Sequence, residues 1–245
     1  MIPAFRILAG LAAALALGAC QKAGDAAFDA RVHSYLMAHP EVIREAAQKL
    51  ADNDRMTALK ASTTAIAKYR NQIERDPRDF VANPAGTITV TEFFDYRCGY
   101  CKLAAPEVVK LIAANPDVRF VFKEFPIFGA VSDNAAKIAL TSEAKAKGLV
   151  LYTAWMGERA LDDAAVDRLL AGAGLNAADL RARALSDPAI ERQILDTRAL
   201  ALALKIEGTP AFVVGDTLIP GADLSALRAA IAAARAAATP LKRLG

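Results

Sequence analysis

A chain of 245 residues is long enough to bury a full core and to hold one large domain, or a domain with an extension. With 54% hydrophobic residues, 23% charged residues and a formal net charge of +3, the composition excludes a disordered chain and a nucleic-acid-binding surface. Nucleic acid is therefore not an expected partner.

Residues 1–19 place Arg6 ahead of an apolar run from Ile7 to Ala19, shorter than the roughly 20 residues that span a bilayer. This predicts an export signal rather than a membrane helix. Ordinary secretory cleavage after Ala19 would put Leu17 where a small residue is wanted. Leu17-Gly18-Ala19-Cys20 instead resembles a bacterial lipobox, which implies that Cys20 is lipidated, becomes the mature N-terminus and anchors the protein to a membrane. A soluble secreted protein with an incidental Cys20 is the plain alternative. Both place the chain outside the cytoplasm, in the periplasm of a bacterium.

Residues 20–79 are read as a helical arm and possible oligomerisation region. Phe28, Val32, Tyr35 and Leu36 recur at helical spacing, and Ile43, Ala46, Ala47 and Leu50 do so again after Pro40, which suits the first turn of a second helix. These narrow, Ala-rich stripes need a surface to bury against, on their own domain or on a second copy. The turn-rich segment 75–86 marks the boundary to a main domain at 80–245. There "TITVTEFF" reads as a strand, "KLAAPEVVKLIAAN" as a helix and "VRFVFKEFP" as a second strand, a unit that implies parallel pairing through a right-handed crossover. Residues 128–205 read almost entirely as helix, with Asp187-Pro188 opening one that carries Ile190, Ile194 and Leu195 on one side. "AFVV" and "TLIP" around Gly215-Asp216 are a hairpin, and Asp223 opens a closing helix.

Between the first strand and helix lie Cys98 and Cys101, separated by Gly99 and Tyr100. The spacing alone is compatible with a metal clip, a structural disulfide or a redox pair. A structural zinc site needs about four ligands, and the two histidines, His33 and His39, lie far upstream, so no metal is expected. A structural disulfide across so short a loop constrains little chain entropy. Redox chemistry is the leading reading.

The order strand, helix, strand, helices, hairpin, helix, with C-x-x-C at the first strand-to-helix junction, resembles the thioredoxin fold interrupted by a helical insertion, as in DsbA-like proteins. Further motifs carry the likeness: Pro106, five residues after Cys101; Glu92, six before Cys98; and Gly208-Thr209-Pro210, which matches the family's cis-proline loop. The resemblance implies an α/β thioredoxin fold with an inserted helical domain at about 128–188 and the N-terminal arm. It implies no cofactor beyond a redox-active Cys98–Cys101 disulfide, with Cys98 as nucleophile and Cys101 as resolving thiol. Glu92 would relay a proton to Cys101, unless it is only a strand acid paired with Lys123. Tyr100 would bind substrate, as would Thr209 and Pro210 if the Thr209-Pro210 bond is cis; an ordinary trans turn is the alternative. Gly-Tyr between the cysteines and Thr209 before the proline look like DsbC isomerases. The insertion together with the arm resembles the ScsC-like branch, whose arms oligomerise and whose members shuffle disulfides. The expected function is exchange of disulfides in exported cysteine-containing proteins, with a membrane redox partner and isomerase or reductase chemistry favoured. The alternatives are a DsbA-like oxidase and a non-enzymatic holdase with a structural disulfide.

Overall fold

Strand β2 (Ile88–Phe94) is buried along its whole length and occupies the middle of a five-stranded sheet of order β1-β3-β2-β4-β5. The computed structural model describes residues 26–238. β2 pairs in parallel with β3 (Val118–Glu124), Val90 opposite Phe120 and Glu92 opposite Phe122, and antiparallel with β4 (Ala211–Val214). β5 (Thr217–Pro220) closes the predicted hairpin on β4. The fifth strand, β1 (Phe80–Ala82), lies inside the segment read as a boundary and runs antiparallel to β3. Three residues between turns are too few for a period-two pattern to stand out.

The chain divides between Ala58 and Leu59 into two compact units. The described part of the first holds α1 (residues 26–38) and the start of α2 (Glu41–Glu74). Pro40 stands immediately before α2 rather than inside its first turn. Phe28, Tyr35, Ile43, Leu50 and Met56 are exposed there.

In the second unit the sheet has two covered faces. Val90, Phe94, Phe120, Phe122 and Phe212 face α3 (Gly99–Ala114), α6 (Gly148–Gly157) and α10 (Leu224–Ala238). Phe93, Phe125, Ala211 and Val213 face Ile66 and Ile73 of α2, and Leu200 and Ala201 of α9 (Pro188–Ala203). The chain between β3 and α9 folds as α4 (Ala130–Ala139), α5 (Ser142–Lys145), α6, α7 (Asp163–Gly172) and α8 (Ala177–Ser186). Polar side chains start these helices by accepting orphan N–H groups: Asp162 from Ala165, Asn176 from Ala178, and Asp187 from Ala189 with Pro188 at the first helical position. Ile190 and Ile194 of α9 pack on Ala136 of α4 and on Leu140, its C-cap, but Leu195 turns outward and is 51% exposed. One residue is about 100° of helix, so Leu195 cannot share a narrow face with Ile194.

Lys123 lies on the α2/α9 face, because β3 alternates and its neighbours Phe122 and Glu124 point the other way. Its ammonium is fully buried and pairs at 2.5 Å with Asp79, whose carboxylate also accepts from Gln193 of α9 at 3.1 Å. Burial pushes Asp79 up to about 6, against the pull of Lys123. Breaking a buried pair leaves an uncompensated charge and costs about 3–5 kcal/mol, whereas an apolar replacement of both partners can be neutral. Asp79→Asn should therefore lower urea-unfolding stability by that amount, and Asp79→Leu with Lys123→Met should recover most of it.

Candidate active site

The turn that ends β2 is organised by Asp95. Its buried carboxylate accepts from the backbone N–H of Arg97 (2.7 Å), Ile127 (2.7 Å) and Phe128 (3.0 Å) and from the Ser132 hydroxyl (2.8 Å). The Arg97 guanidinium adds a bond to the Phe128 carbonyl at 2.8 Å. The β3–α4 loop is thus clasped to the residues that lead into Cys98.

Cys98 is the N-cap of α3, with extended backbone and no capping hydrogen bond from an oxygen side chain. Its sulfur stands where the free N–H groups of a helix start converge, and the N–H groups of Tyr100 and Cys101 both favour its thiolate. The largest contribution is the hydrogen bond donated by the Cys101 thiol; burial opposes it, and Thr209 and the two N–H groups add to it, leaving Cys98 lowered to about 5. Cys101 moves the other way, pushed far above the ordinary thiol range by burial first, then by its bond to Cys98 and by the Glu92 carboxyl. Cys98 is 2% exposed and Cys101 is sealed. Between them on the surface, Tyr100 is 68% exposed and Leu103, one turn on, 74%. Pro106 lies inside α3 and removes the N–H that would bond the Lys102 carbonyl.

Thr209 and Pro210 come to the same place from 111 residues away: the Thr209 carbonyl accepts from the Cys98 thiol at 3.1 Å. The Thr209-Pro210 peptide bond is cis. The Thr209 hydroxyl is buried with no hydrogen-bond partner among the described residues. A cavity of about 220 Å³ lies against this loop, lined by Ile206, Glu207, Gly208, Thr209, Pro210 and Leu218 among others.

Glu92 does not pair with Lys123, which serves Asp79 on the opposite face of the sheet. Its fully buried carboxyl accepts from the Tyr152 hydroxyl, at 3.2 Å to one oxygen and 3.0 Å to the other. Burial pushes it up to about 8, the Tyr152 bond pulls it down, and the nearby Cys98 charge adds to the rise. A second buried acid, Glu124, accepts from Tyr96 at 2.8 Å and is held well above the carboxylate range by burial.

The match of residues 89–232 to the DSBA-like thioredoxin domain decides the family. The chain belongs to the DsbA-like thioredoxin-domain family. Residues 25–55 match a second domain, the copper resistance protein ScsC N-terminal domain. Among solved structures, a thioredoxin-like oxidoreductase from Silicibacter pomeroyi is 40% identical, with a TM-score of 0.64, over 69% of this chain and 99% of that one. BcfH of Salmonella enterica Typhimurium is 32% identical, TM-score 0.72, over 92% and 99%. ScsC of Proteus mirabilis in a transitional conformation is 25% identical, TM-score 0.66, over 88% and 99%. The chain also matches, over 82 residues at 33% identity, a Na(+)/H(+) antiporter NhaA 3 of Salinispora tropica, spanning 12% of that protein. No helix among the described residues is long and apolar enough to cross a membrane.

DsbA-like domains exchange disulfides through their own cysteines, and in this one Cys98, Cys101, Glu92, Thr209 and Pro210 converge. Cys20 lies outside the described residues. Sequence reasoning missed Asp95, Tyr96, Glu124, Tyr152 and the exposed apolar pair Ile127 and Phe128. Asp95 was discoverable, as an acid between two aromatics three residues before Cys98; Tyr152, 60 residues from Glu92, carried no local signal.

Alkylation of the reduced protein should occur at Cys98 with a midpoint near pH 5 and leave Cys101 unlabelled, as mass mapping would report. Linkage supplies a second check. A thiol lowered from 9.0 to about 5 binds fewer protons folded than unfolded across that window, so it adds stability as pH rises from 5 to 9 and loses it as pH falls through 5. Glu92, raised from 4.5 to about 8, acts in the opposite sense over most of that range. Reduced Glu92→Gln should therefore gain stability from pH 5 to 8 more steeply than the parent in urea titrations.

Proposed function

We propose that this protein is a periplasmic thiol-disulfide exchange enzyme acting on exported cysteine-containing proteins, as an isomerase or reductase rather than a strong oxidase. The observation that carries the reading is the placement of the two thiols: Cys98 at the N-terminus of α3 against the Thr209 carbonyl, where its thiolate is favoured, and Cys101 sealed in the same helix, where burial disfavours ionisation. The Cys98 thiolate attacks a substrate disulfide, forming a Cys98–substrate bond and releasing one substrate thiolate, which takes a proton from water. Cys101 then gives its proton to Glu92 and attacks the Cys98 sulfur. The Cys98–Cys101 bond forms, the second substrate sulfur leaves with the electron pair, and the enzyme is left oxidised.

Reaction direction follows from how far the thiolate is stabilised, since a more stable reduced form is more oxidising. A value of about 5 lies between those of about 7 for thioredoxin and about 3.5 for DsbA. It supports an intermediate poise suited to shuffling, as do Tyr100 and Thr209. Tyr100, Thr209 and Pro210 are assigned to substrate binding: Tyr100 offers an exposed ring beside the nucleophile, and Thr209 sits against its sulfur. A membrane redox partner would return the site to the dithiol state.

Lipidation of Cys20 would tether the chain to a membrane. The exposed apolar residues Phe28, Tyr35, Ile43 and Leu50 and the ScsC-type domain over residues 25–55 support self-association through the arm. A DsbA-like oxidase remains the second reading, separated by the equilibrium potential of Cys98–Cys101 against glutathione.

Cys98→Ser should abolish turnover, while Cys101→Ser should accumulate mixed disulfides visible on non-reducing gels; trapping by Cys98→Ser instead would reverse the roles. Removing residues 21–58 should yield a monomer that keeps reductase activity and loses most isomerase activity on scrambled ribonuclease. A full-length protein that sediments as a monomer would overturn the oligomeric part.

A further inference from the structure

We propose that Tyr152, carried by the helical insertion, is a positioning residue for the Glu92 proton relay, so that the insertion takes part in thiol exchange as well as framing it. This rests on the reading of Glu92 as the group that exchanges a proton with Cys101.

Glu92 is sealed from water in a sheet whose nearby cation, Lys123, points to the other face. Among the described residues, the hydrogen-bond donor that reaches its carboxyl is the Tyr152 hydroxyl, which spans both oxygens at 3.2 and 3.0 Å. The ring that carries this hydroxyl is held on two sides. It meets Phe94, two residues along β2 from Glu92, at 5.4 Å between centroids, and Phe122, the register partner of Glu92, at 4.8 Å. The first turn of α6 is itself pressed on the sheet edge. A Cβ at Gly148 would stand 2.4 Å from the Phe80 ring, which stacks on Phe122 at 5.2 Å. Tyr152 therefore cannot swing away without moving α6, and its placement is a property of the docked insertion.

The chemistry needs such a donor. When the Cys101 S–H bond breaks, its proton goes to a Glu92 oxygen, which must first be ionised in a site without water. An ionised carboxylate there is favoured by whatever donates to it. With Tyr152 present, Glu92 titrates near neutral pH and serves as base toward the Cys101 thiol, or as acid toward the Cys101 thiolate when the reaction runs backward. Without the hydroxyl, the ionised form loses its donor and becomes scarcer at neutral pH. The effect falls on the Cys101 step; the attack by Cys98 depends on the α3 N-terminus.

DTNB separates the two steps in the reduced protein carrying Cys20→Ser, since Cys98 attack releases one thionitrobenzoate and resolution by Cys101 releases the second. Tyr152→Phe should leave the first phase within about twofold. It should slow the second about tenfold at pH 7 and move its pH midpoint upward by about one pH unit, which is the loss of base that a tenfold change represents. Tyr152→3-fluorotyrosine, which keeps the ring and donates more strongly, should move the midpoint downward. Glu92→Gln combined with Tyr152→Phe should be no slower than Glu92→Gln alone. A second phase with an unmoved midpoint in both Tyr152 variants, while Glu92→Gln slows it, would overturn the assignment to Tyr152 and leave the relay standing. A second phase unaffected by Glu92→Gln would bring down the relay itself.

Discussion

Water stabilises an exposed thiolate, and at this site the protein has largely excluded water, so the negative charge on Cys98 must be held by fixed groups. Those groups are the N–H donors at the start of α3, the Cys101 thiol and Thr209. Everything else in the molecule is arranged so that they stay where they are. β2 is buried on both faces and presents its end to α3. Asp95 locks the connecting turn through four hydrogen bonds, and β4 and β5 return the Thr209 loop to the sulfur. Lowering Cys98 and raising Cys101 are coupled, because the same S–H donation favours the first thiolate and disfavours the second, although burial is the larger cause of the rise at Cys101.

A central strand has two faces, and this protein gives them different work. The face toward α3 and α6 carries Glu92 and Glu124, acids whose ionisation burial pushes upward, that of Glu92 to about 8. The opposite face carries Lys123, paired with Asp79 and joined through Gln193 to α9. A pleat of period two keeps these systems apart although Glu92 and Lys123 lie on neighbouring strands. Had they shared a face, a cation beside Glu92 would have drawn its ionisation down toward the usual carboxylate range.

The insertion joins the first of these faces through aromatic contacts. Phe94 and Phe122 meet Tyr152, while Tyr96 meets Trp155 edge-on at 4.9 Å. Aromatic pairs of this kind contribute about 0.5–1.5 kcal/mol each beyond area burial. They fix α6 against the sheet closely enough for a hydroxyl to be aimed at one carboxyl. The clasp of Asp95 holds the β3–α4 loop, with the exposed Ile127 and Phe128, to the turn that leads into Cys98.

The sequence by itself determined the elements and the chemistry that is local in the chain. β-rich runs marked β2, β3 and the hairpin; Asp187-Pro188 and Asp223 marked helix starts; and Cys98-Gly99-Tyr100-Cys101 after a strand announced redox chemistry. These signals are legible because periodicity, capping and turn chemistry act over a few residues. Tertiary structure alone decided what depends on distance along the chain: β1, too short to show a pattern; the outward turn of Leu195; the partner of Glu92; and the arrival of Thr209 at Cys98. The partner of Glu92 shows the reason. Lys123 was the partner that the sequence offered, and only strand register and the docking of α6 put Tyr152 instead on the same face as the acid.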